Sequence, residues 1–264
     1  MTGASGLVGT WLRRTVPAGV DLVSLVHRTA VAGSACATAD LRDADAVRSA
    51  FAEVRPTLVI HAAMAVDEAS IVRATQHVVD AASDLGAGLL YVSTDAVFSG
   101  DGRPVAEDEQ PDPVWDYGRW KAQAEQAVLR TGSGSAVVRL PLVVSLDPED
   151  VPVQRVREGA RSGQGTTWFE DELRQPAMAP DLADGLWRIA SLAPEERSGT
   201  WHLVGPELLS RYEIARRAAR VLGLDPSTVV SAPTPTGANR PRHLDLRCER
   251  ARAAIGWEPD PVLA

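Results

Sequence analysis

Up to Pro141 the chain alternates short β-branched apolar runs with amphipathic helical stretches, and that alternation restricts it to a parallel sheet covered by helices on both faces. The pattern predicts helix over 7–15, strand over 21–26, a short strand over 35–39, helix over 44–54 and strand over 58–61. It continues with helix over 68–85, strand over 88–93, helix over 115–129 and strand over 136–140. Beyond Pro141 the regularity fails. Proline is more frequent and the elements are shorter: helix over 153–162, strand over 167–169, helix over 180–192, strand over 201–204 and helix over 211–222. That remainder reads as a smaller lobe that builds a site against the sheet. The expected division is 1–145 for the sheet domain and 146–264 for the lobe, with some segments interleaved.

At 264 residues, 45% of them hydrophobic and 23% charged, the chain has an ordinary globular composition and enough apolar residues to build such a core. Its net charge of −8 and pI near 5.2 argue against a nucleic-acid partner, because the arginines are scattered among acids and form no basic stripe. Cys36 and Cys248 are too few and too far apart for a disulfide framework, and no Cys/His spacing resembles a zinc site. Both are expected to be reduced, packed thiols, and no metal is expected. No apolar run approaches the roughly 20 residues that a membrane span needs. With no leader at the start, the expected address is cytoplasmic.

Gly3, Gly6 and Gly9 form a G-x-x-G-x-x-G turn that opens an apolar helix. Glycines let backbone approach a pyrophosphate closely, and the amides of Ser5, Gly6, Leu7 and Val8 with the helix dipole can hold its charge. The turn makes the sheet a doubly wound, Rossmann-type α/β domain. Only Met1 and Thr2 precede it, so the central strand is expected to be missing, through a misassigned start or a truncated chain. About 20 residues after Gly9, where an acid would grip the adenosine ribose of NAD, stand Val26, His27 and Arg28 with no carboxylate beside them. Arg28 can meet a 2′-phosphate instead, so NADP is preferred and NAD remains an option. His27, together with Asp40 and Leu41 after the short third strand, is expected against the adenosine. Ala62 and Ala63 are small enough to let the cofactor pass.

Lys121 is the only lysine in the chain and follows Tyr117, one of three tyrosines, by four residues. Residues four apart share a helix face, so the ammonium can lie beside the phenol and favour its ionised form. Tyr117 is therefore a candidate proton donor. Ser93-Thr94-Asp95 ends the strand over 88–93 at the sheet edge where ligands bind, and its hydroxyls can hold a substrate oxygen.

These motifs together resemble the extended short-chain dehydrogenase/reductases, and within them the dTDP-4-dehydrorhamnose reductase group. The resemblance rests on the glycine turn, on Ser93-Thr94-Asp95-Ala96-Val97-Phe98-Ser99-Gly100, on Tyr117-Gly118-Arg119-Trp120-Lys121 and on the stretches from Phe169 to Pro176 and from Asp181 to Ala183. It implies that Thr94, Tyr117 and Lys121 are the catalytic hydroxyl, the general acid and its electrostatic support. The implied reaction is hydride transfer from NADPH to a nucleotide-linked keto sugar, with Tyr117 and Lys121 also touching the cofactor. A homodimer is compatible with it.

The chain departs from the group at three points. Ala96 stands where the group has tyrosine, Leu142 where it has tryptophan, and Ile71 replaces a frequent asparagine in the central helix. The first two positions border the sugar, with Ser93, Thr94 and Asp95, so the pocket is expected to be reshaped. Arg174, Arg240 and Arg242 are candidate donors to a substrate pyrophosphate, because guanidinium suits phosphate oxygens. Two other readings stay open. One is a non-catalytic NADP-binding regulatory module similar to the regulatory subunit of methionine adenosyltransferase. The other is an NAD-retaining sugar-nucleotide epimerase or dehydratase.

Overall fold

The computed structural model describes residues 1–28, 30–132 and 134–264. The glycine turn leads into α1 (Leu7–Arg14), β1 (Val23–Val26), β2 (Ala35–Thr38), α2 (Ala44–Val54) and β3 (Leu58–His61). Then come α3 (Ala74–Asp84), β4 (Gly88–Thr94), β5 (Asp101–Val105), α4 (Asp116–Leu129) and β6 (Ala136–Leu140). The remainder supplies β7 (Val143–Val144), α5 (Val151–Ser162), β8 (Thr166–Phe169), β9 (Leu173–Arg174), β10 (Ala177–Met178), α6 (Ala179–Ala190) and α7 (Pro194–Arg197). It closes with β11 (Gly199–His202), β12 (Leu209–Ser210), α8 (Arg211–Val221), β13 (Val229–Ala232), β14 (His243–Leu246) and α9 (Glu249–Ile255).

Strands β3, β4, β6 and β11 pair in parallel, in the order β11-β6-β4-β3, and β1 pairs in parallel with β2. The central strand expected to be missing is present as a stub that joins these two pieces. Thr2 bridges Leu25 on one side and His61 on the other, with Thr2 N donating to Ile60 O at 3.0 Å and Leu25 N donating to Met1 O at 2.7 Å. Two residues are too few to read as a strand, yet they suffice at the level of the glycine turn, where the backbone must be held.

Helices cover both faces because the strands are apolar on both. Every residue of β6 is buried. One face buries Leu12, Leu90, Val138, Leu186 and Trp201, the other Val47, Phe51, Val78, Leu89 and Val128. Each such side chain contributes roughly 1.5–3 kcal/mol on burial. Helix α2 starts at Asp43, whose carboxylate accepts from Asp45 N and Ala46 N, and stops at Arg55 in the left-handed region (φ 50°). Helix α8 starts in a capping box made by Ser210 and Glu213.

The helix expected over 68–85 begins as a π-helical turn, Ala69–Arg73, before it becomes α3. That turn seats buried Ile71 and packs against α4. Apolar periodicity cannot register one extra residue per turn. Strands β5, β13 and β14 and helix α9 were not anticipated. Gly102 and Pro104 disguise β5, which pairs with β14 in the smaller sheet β12-β9-β14-β5. Strand β11, from the second half of the chain, returns to the main sheet, while β5, from the first half, leaves it. Cys248 is buried as a packed thiol, whereas Cys36 is exposed, contrary to expectation, because β2 is the outer strand of its pair and turned to solvent. Among the described residues no helix is long and apolar enough to cross a membrane.

Candidate active site

A cleft of about 1120 Å³ runs along the C-terminal ends of the parallel strands, with the starts of α5 and α8 also on its wall. At its floor lies the glycine turn. Gly3 has φ +69°, and a Cβ there would stand 2.4 Å from the Ala62 carbonyl carbon, while a Cβ on Gly9 would stand 2.1 Å from Gly3 O. Gly6 differs, because a Cβ there would meet only Gly3 O, at 3.3 Å, leaving its other side open to the cleft. Helix α1 starts at Gly6 with no side-chain cap and no acid in its first turn, so its leading amides face the cleft without a side-chain partner. A dinucleotide pyrophosphate fits this cradle. Ser5, Leu7, Val8, Ala62 and Ala63 line the cleft here, and Ala63 N donates to Thr2 Oγ1 at 3.3 Å.

Beyond the ends of β1 and β2, His27, Arg28 and Leu41 line the cleft, and so does Arg42, which the sequence does not single out. Asp40 does not line it. Its carboxylate accepts from Arg42 Nη2 (2.7 Å), Arg42 Nε (3.0 Å) and Arg42 N (3.0 Å), with His27 Nε2 at 3.6 Å. These bonds from Arg42 hold the carboxyl well below the usual carboxylate range. The acid is thus turned aside and neutralised by Arg42, and Arg28 stands on the wall beside the pair. An arginine two residues after a strand-end aspartate was the available signal.

Ser93, Thr94, Asp95, Ala96, Tyr117 and Lys121 all line the middle of the cleft. Thr94 Oγ1 donates to Asp95 Oδ1 (3.0 Å) and accepts from Ala96 N (3.2 Å). Ser93 is diverted: its hydroxyl donates to Glu125, behind the strand. Tyr117 is pushed up to about 12, first by burial and then by the Asp95 carboxylate, with the Thr94 hydroxyl acting in the opposite direction. Lys121 is not among these influences. Its Nζ donates to Val92 O at 2.7 Å and sits 4.1 Å from the centre of the Tyr91 ring. The expectation that the ammonium lowers the phenol therefore fails, because the ammonium is tethered to the strand and the phenol is buried beside a carboxylate. Lys121 itself is lowered to about 7 by burial, against the pull of Glu125.

Toward β9 and α8 the cleft borders a buried ionic cluster. Glu172 is fully buried, with Arg240 Nε at 2.8 Å, Arg211 Nε at 3.5 Å and Arg174 Nη2 at 3.9 Å. Arg174 also lies 4.0 Å from Asp95 and donates to Pro241 O (2.8 Å) and Leu173 O (2.7 Å). Burial raises Asp95 and lowers Arg174 and Arg211. Arg174, Arg211 and Arg240 line the cleft; Arg242 does not, being paired with Asp171. Arg211 was missed. Its signal was a cation in the first position of a helix, where the dipole disfavours it. Leu142 lines the cleft, as does Trp115, also missed. Trp115 donates to Ala96 O at 3.1 Å and meets the Tyr117 ring edge-on at 5.4 Å, so an aromatic packs on Tyr117 although positions 96 and 142 lack one.

Parallel sheet, glycine cradle and a Tyr/Lys pair on one cleft define an α/β protein of the short-chain dehydrogenase/reductase type. The chain belongs to the RmlD substrate binding domain family, whose model matches residues 1–262. It is 33% identical to dTDP-4-dehydrorhamnose reductase of Streptomyces griseus over 279 residues, covering 98% of this chain and 88% of that protein. It is also 31% identical to methionine adenosyltransferase 2 subunit beta of Danio rerio over 231 residues, covering 80% of this chain and 71% of that one. A hypothetical dTDP-4-dehydrorhamnose reductase of Sulfolobus tokodaii shares the fold with TM-score 0.85 at 24% identity, covering 99% of this chain and 96% of that one. The dTDP-4-dehydrorhamnose reductase of Bacillus anthracis, solved with NADP, does so with TM-score 0.80 at 21% identity, covering 99% and 94%.

Proposed function

We propose that the protein is an NADPH-dependent reductase of a nucleotide-linked 4-keto sugar. The observation that carries this reading is the meeting of Thr94, Tyr117 and Lys121 in the cleft that the glycine turn floors. A reduced nicotinamide supplies hydride when bound. Tyr117 gives its proton to the oxygen of the carbonyl that is reduced. Burial and Asp95 keep that proton on the phenol at neutral pH, which suits a donor. Thr94 positions the same oxygen, and Lys121 holds the nicotinamide ribose. The open cradle at Gly6 takes the pyrophosphate. Arg28, beside an Asp40–Arg42 pair that leaves no free carboxylate for a ribose hydroxyl, favours a 2′-phosphate and hence NADP over NAD. Arg174, Arg211 and Arg240 suit the diphosphate of a sugar nucleotide, since the cluster has one cation more than Glu172 and Asp95 balance.

The test is consumption of NADPH by the purified protein on a panel of nucleotide-linked keto sugars, beside Tyr117→Phe. Wild-type turnover that the variant lacks supports the reading. The resemblance at 31% identity to methionine adenosyltransferase 2 subunit beta favours a second reading, a non-catalytic NADP-binding regulatory subunit. NADPH that binds tightly and is consumed with no ketone decides for that one.

A further inference from the structure

Behind the reacting strand lies a buried polar network that the reaction as proposed does not use. Glu125 follows Lys121 by one helical turn on α4, and both are buried. One carboxylate oxygen of Glu125 accepts from Ser93 Oγ, and Arg139 Nη2 donates to the other at 2.8 Å. Arg139 Nε lies 3.2 Å from both oxygens. Arg139 Nη1 in turn donates to His202 Nε2 at 3.2 Å, and His202 Nδ1–H donates to Arg247 O at 2.7 Å. Burial and the adjacent guanidinium depress His202 to about 3, so the ring is neutral. Glu125 is therefore braced by Arg139 while Lys121 lies one turn back on the same helix, and every hydrogen-bonding group around the carboxylate is satisfied.

The position of this network matters. Ser93 stands between Val92, whose carbonyl holds Lys121, and Thr94. A carboxylate that grips Ser93 from α4 fixes the helix that carries Tyr117 and Lys121 against the strand end that carries Thr94. Among the described residues, the groups facing Lys121 are the Tyr91 ring and neutral His61 from the sheet and Glu125 on its own helix. Among them Glu125 is the nearby carboxylate. We propose that Glu125, braced by Arg139, is a positioning residue that fastens α4 to the end of β4 through Ser93 and supplies the counter-charge for the Lys121 ammonium.

The chain itself provides the probe, because Lys121 is its only lysine. Protein grown with lysine carrying carbon-13 at Cε gives one side-chain resonance, whose pH titration reports this amine with no substrate present. The catalytic consequence rests on the proposed function; the titration does not, so the two fail separately. Glu125→Gln is expected to move the midpoint down by about one pH unit, the scale of a lost neighbouring opposite charge. Ser93→Ala, which loosens the clamp but keeps the charge, is expected to leave the midpoint in place. If Glu125→Gln strands Arg139 and does not fold, Glu125→Gln with Arg139→Gln decides when read against Arg139→Gln alone, which keeps the carboxylate and is expected to have the higher midpoint. An unmoved midpoint in folded Glu125→Gln, or equal midpoints in that second pair, overturns the proposal. So does an equal fall in Ser93→Ala, which would mark a general loosening of the site.

Discussion

Tyr117 and Lys121 are unequal partners: one holds its proton to about 12, the other only to about 7. Both states follow from burial, which favours the neutral form of each group. Tyr117→Phe is expected to lower the reduction rate by about 10²–10⁴, the range for a lost general acid, while NADPH binding measured by fluorescence persists. The pH dependence has a definite sign. Lys121 is charged below about 7 and neutral above it, so kcat/KM, which reports the free enzyme, is expected to be level below pH 7 and to fall above it. A kcat/KM that rises through neutrality would contradict the requirement for the ammonium. Arg211→Met removes a cation from the substrate end. It is expected to raise KM for a sugar nucleotide about 10–100-fold, the value of a charged hydrogen bond, with a smaller change in kcat. Tyr117 and Lys121 were legible in the sequence because rare residues at helical spacing stand out. Arg211 and Trp115 were not, since the partners that bring them to the cleft, Glu172 and Ala96, are remote in the chain.

Elements were legible where a repeating apolar pattern or a capping residue marks them. The parallel strands β3, β4 and β6 and the helices α2, α4 and α8 fall within two residues of their expected bounds. The π turn before α3 leaves no periodic signature, and the two-residue stub at Thr2 is recognisable only by the strands on either side. Strand β14 forms because β5 and β9 offer it edges, which is a property of the lobe and not of residues 243–246. The glycine turn allows a sharper test at this scale. In Gly9→Ala the new methyl would lie 2.1 Å from Gly3 O, so the start of α1 must shift. The expected result is a loss of about 1–3 kcal/mol in denaturant unfolding, the scale of overpacking, together with weaker NADPH binding. Unchanged binding would separate the turn from the cofactor.

Across the molecule, the sheet buries two neutral histidines. His61 hydrogen-bonds to Thr2 (2.6 Å) and Thr75 (3.1 Å), His202 is held by Arg139 and Arg247, and burial is the largest cause that lowers each to about 3. Between pH 6.5 and 3 the unfolded chain binds protons that the folded one refuses. Stability is therefore expected to fall with pH across that window, by about 1 kcal/mol per pH unit for each histidine, as read by urea unfolding at a series of pH values. A flat profile would contradict the burial of uncharged rings. The same sheet presents its strand ends to one continuous cleft, and the account stands on what that cleft does. The most direct measurement is the nicotinamide absorbance of NADPH in a single turnover with a nucleotide-linked 4-keto sugar, for wild type and Tyr117→Phe. Rapid loss of the reduced cofactor in the wild type and none in a variant that still binds it is the expected result. Loss at the same rate in both, or tight binding with no loss in either for any ketone tried, would contradict a reductase that works through Tyr117.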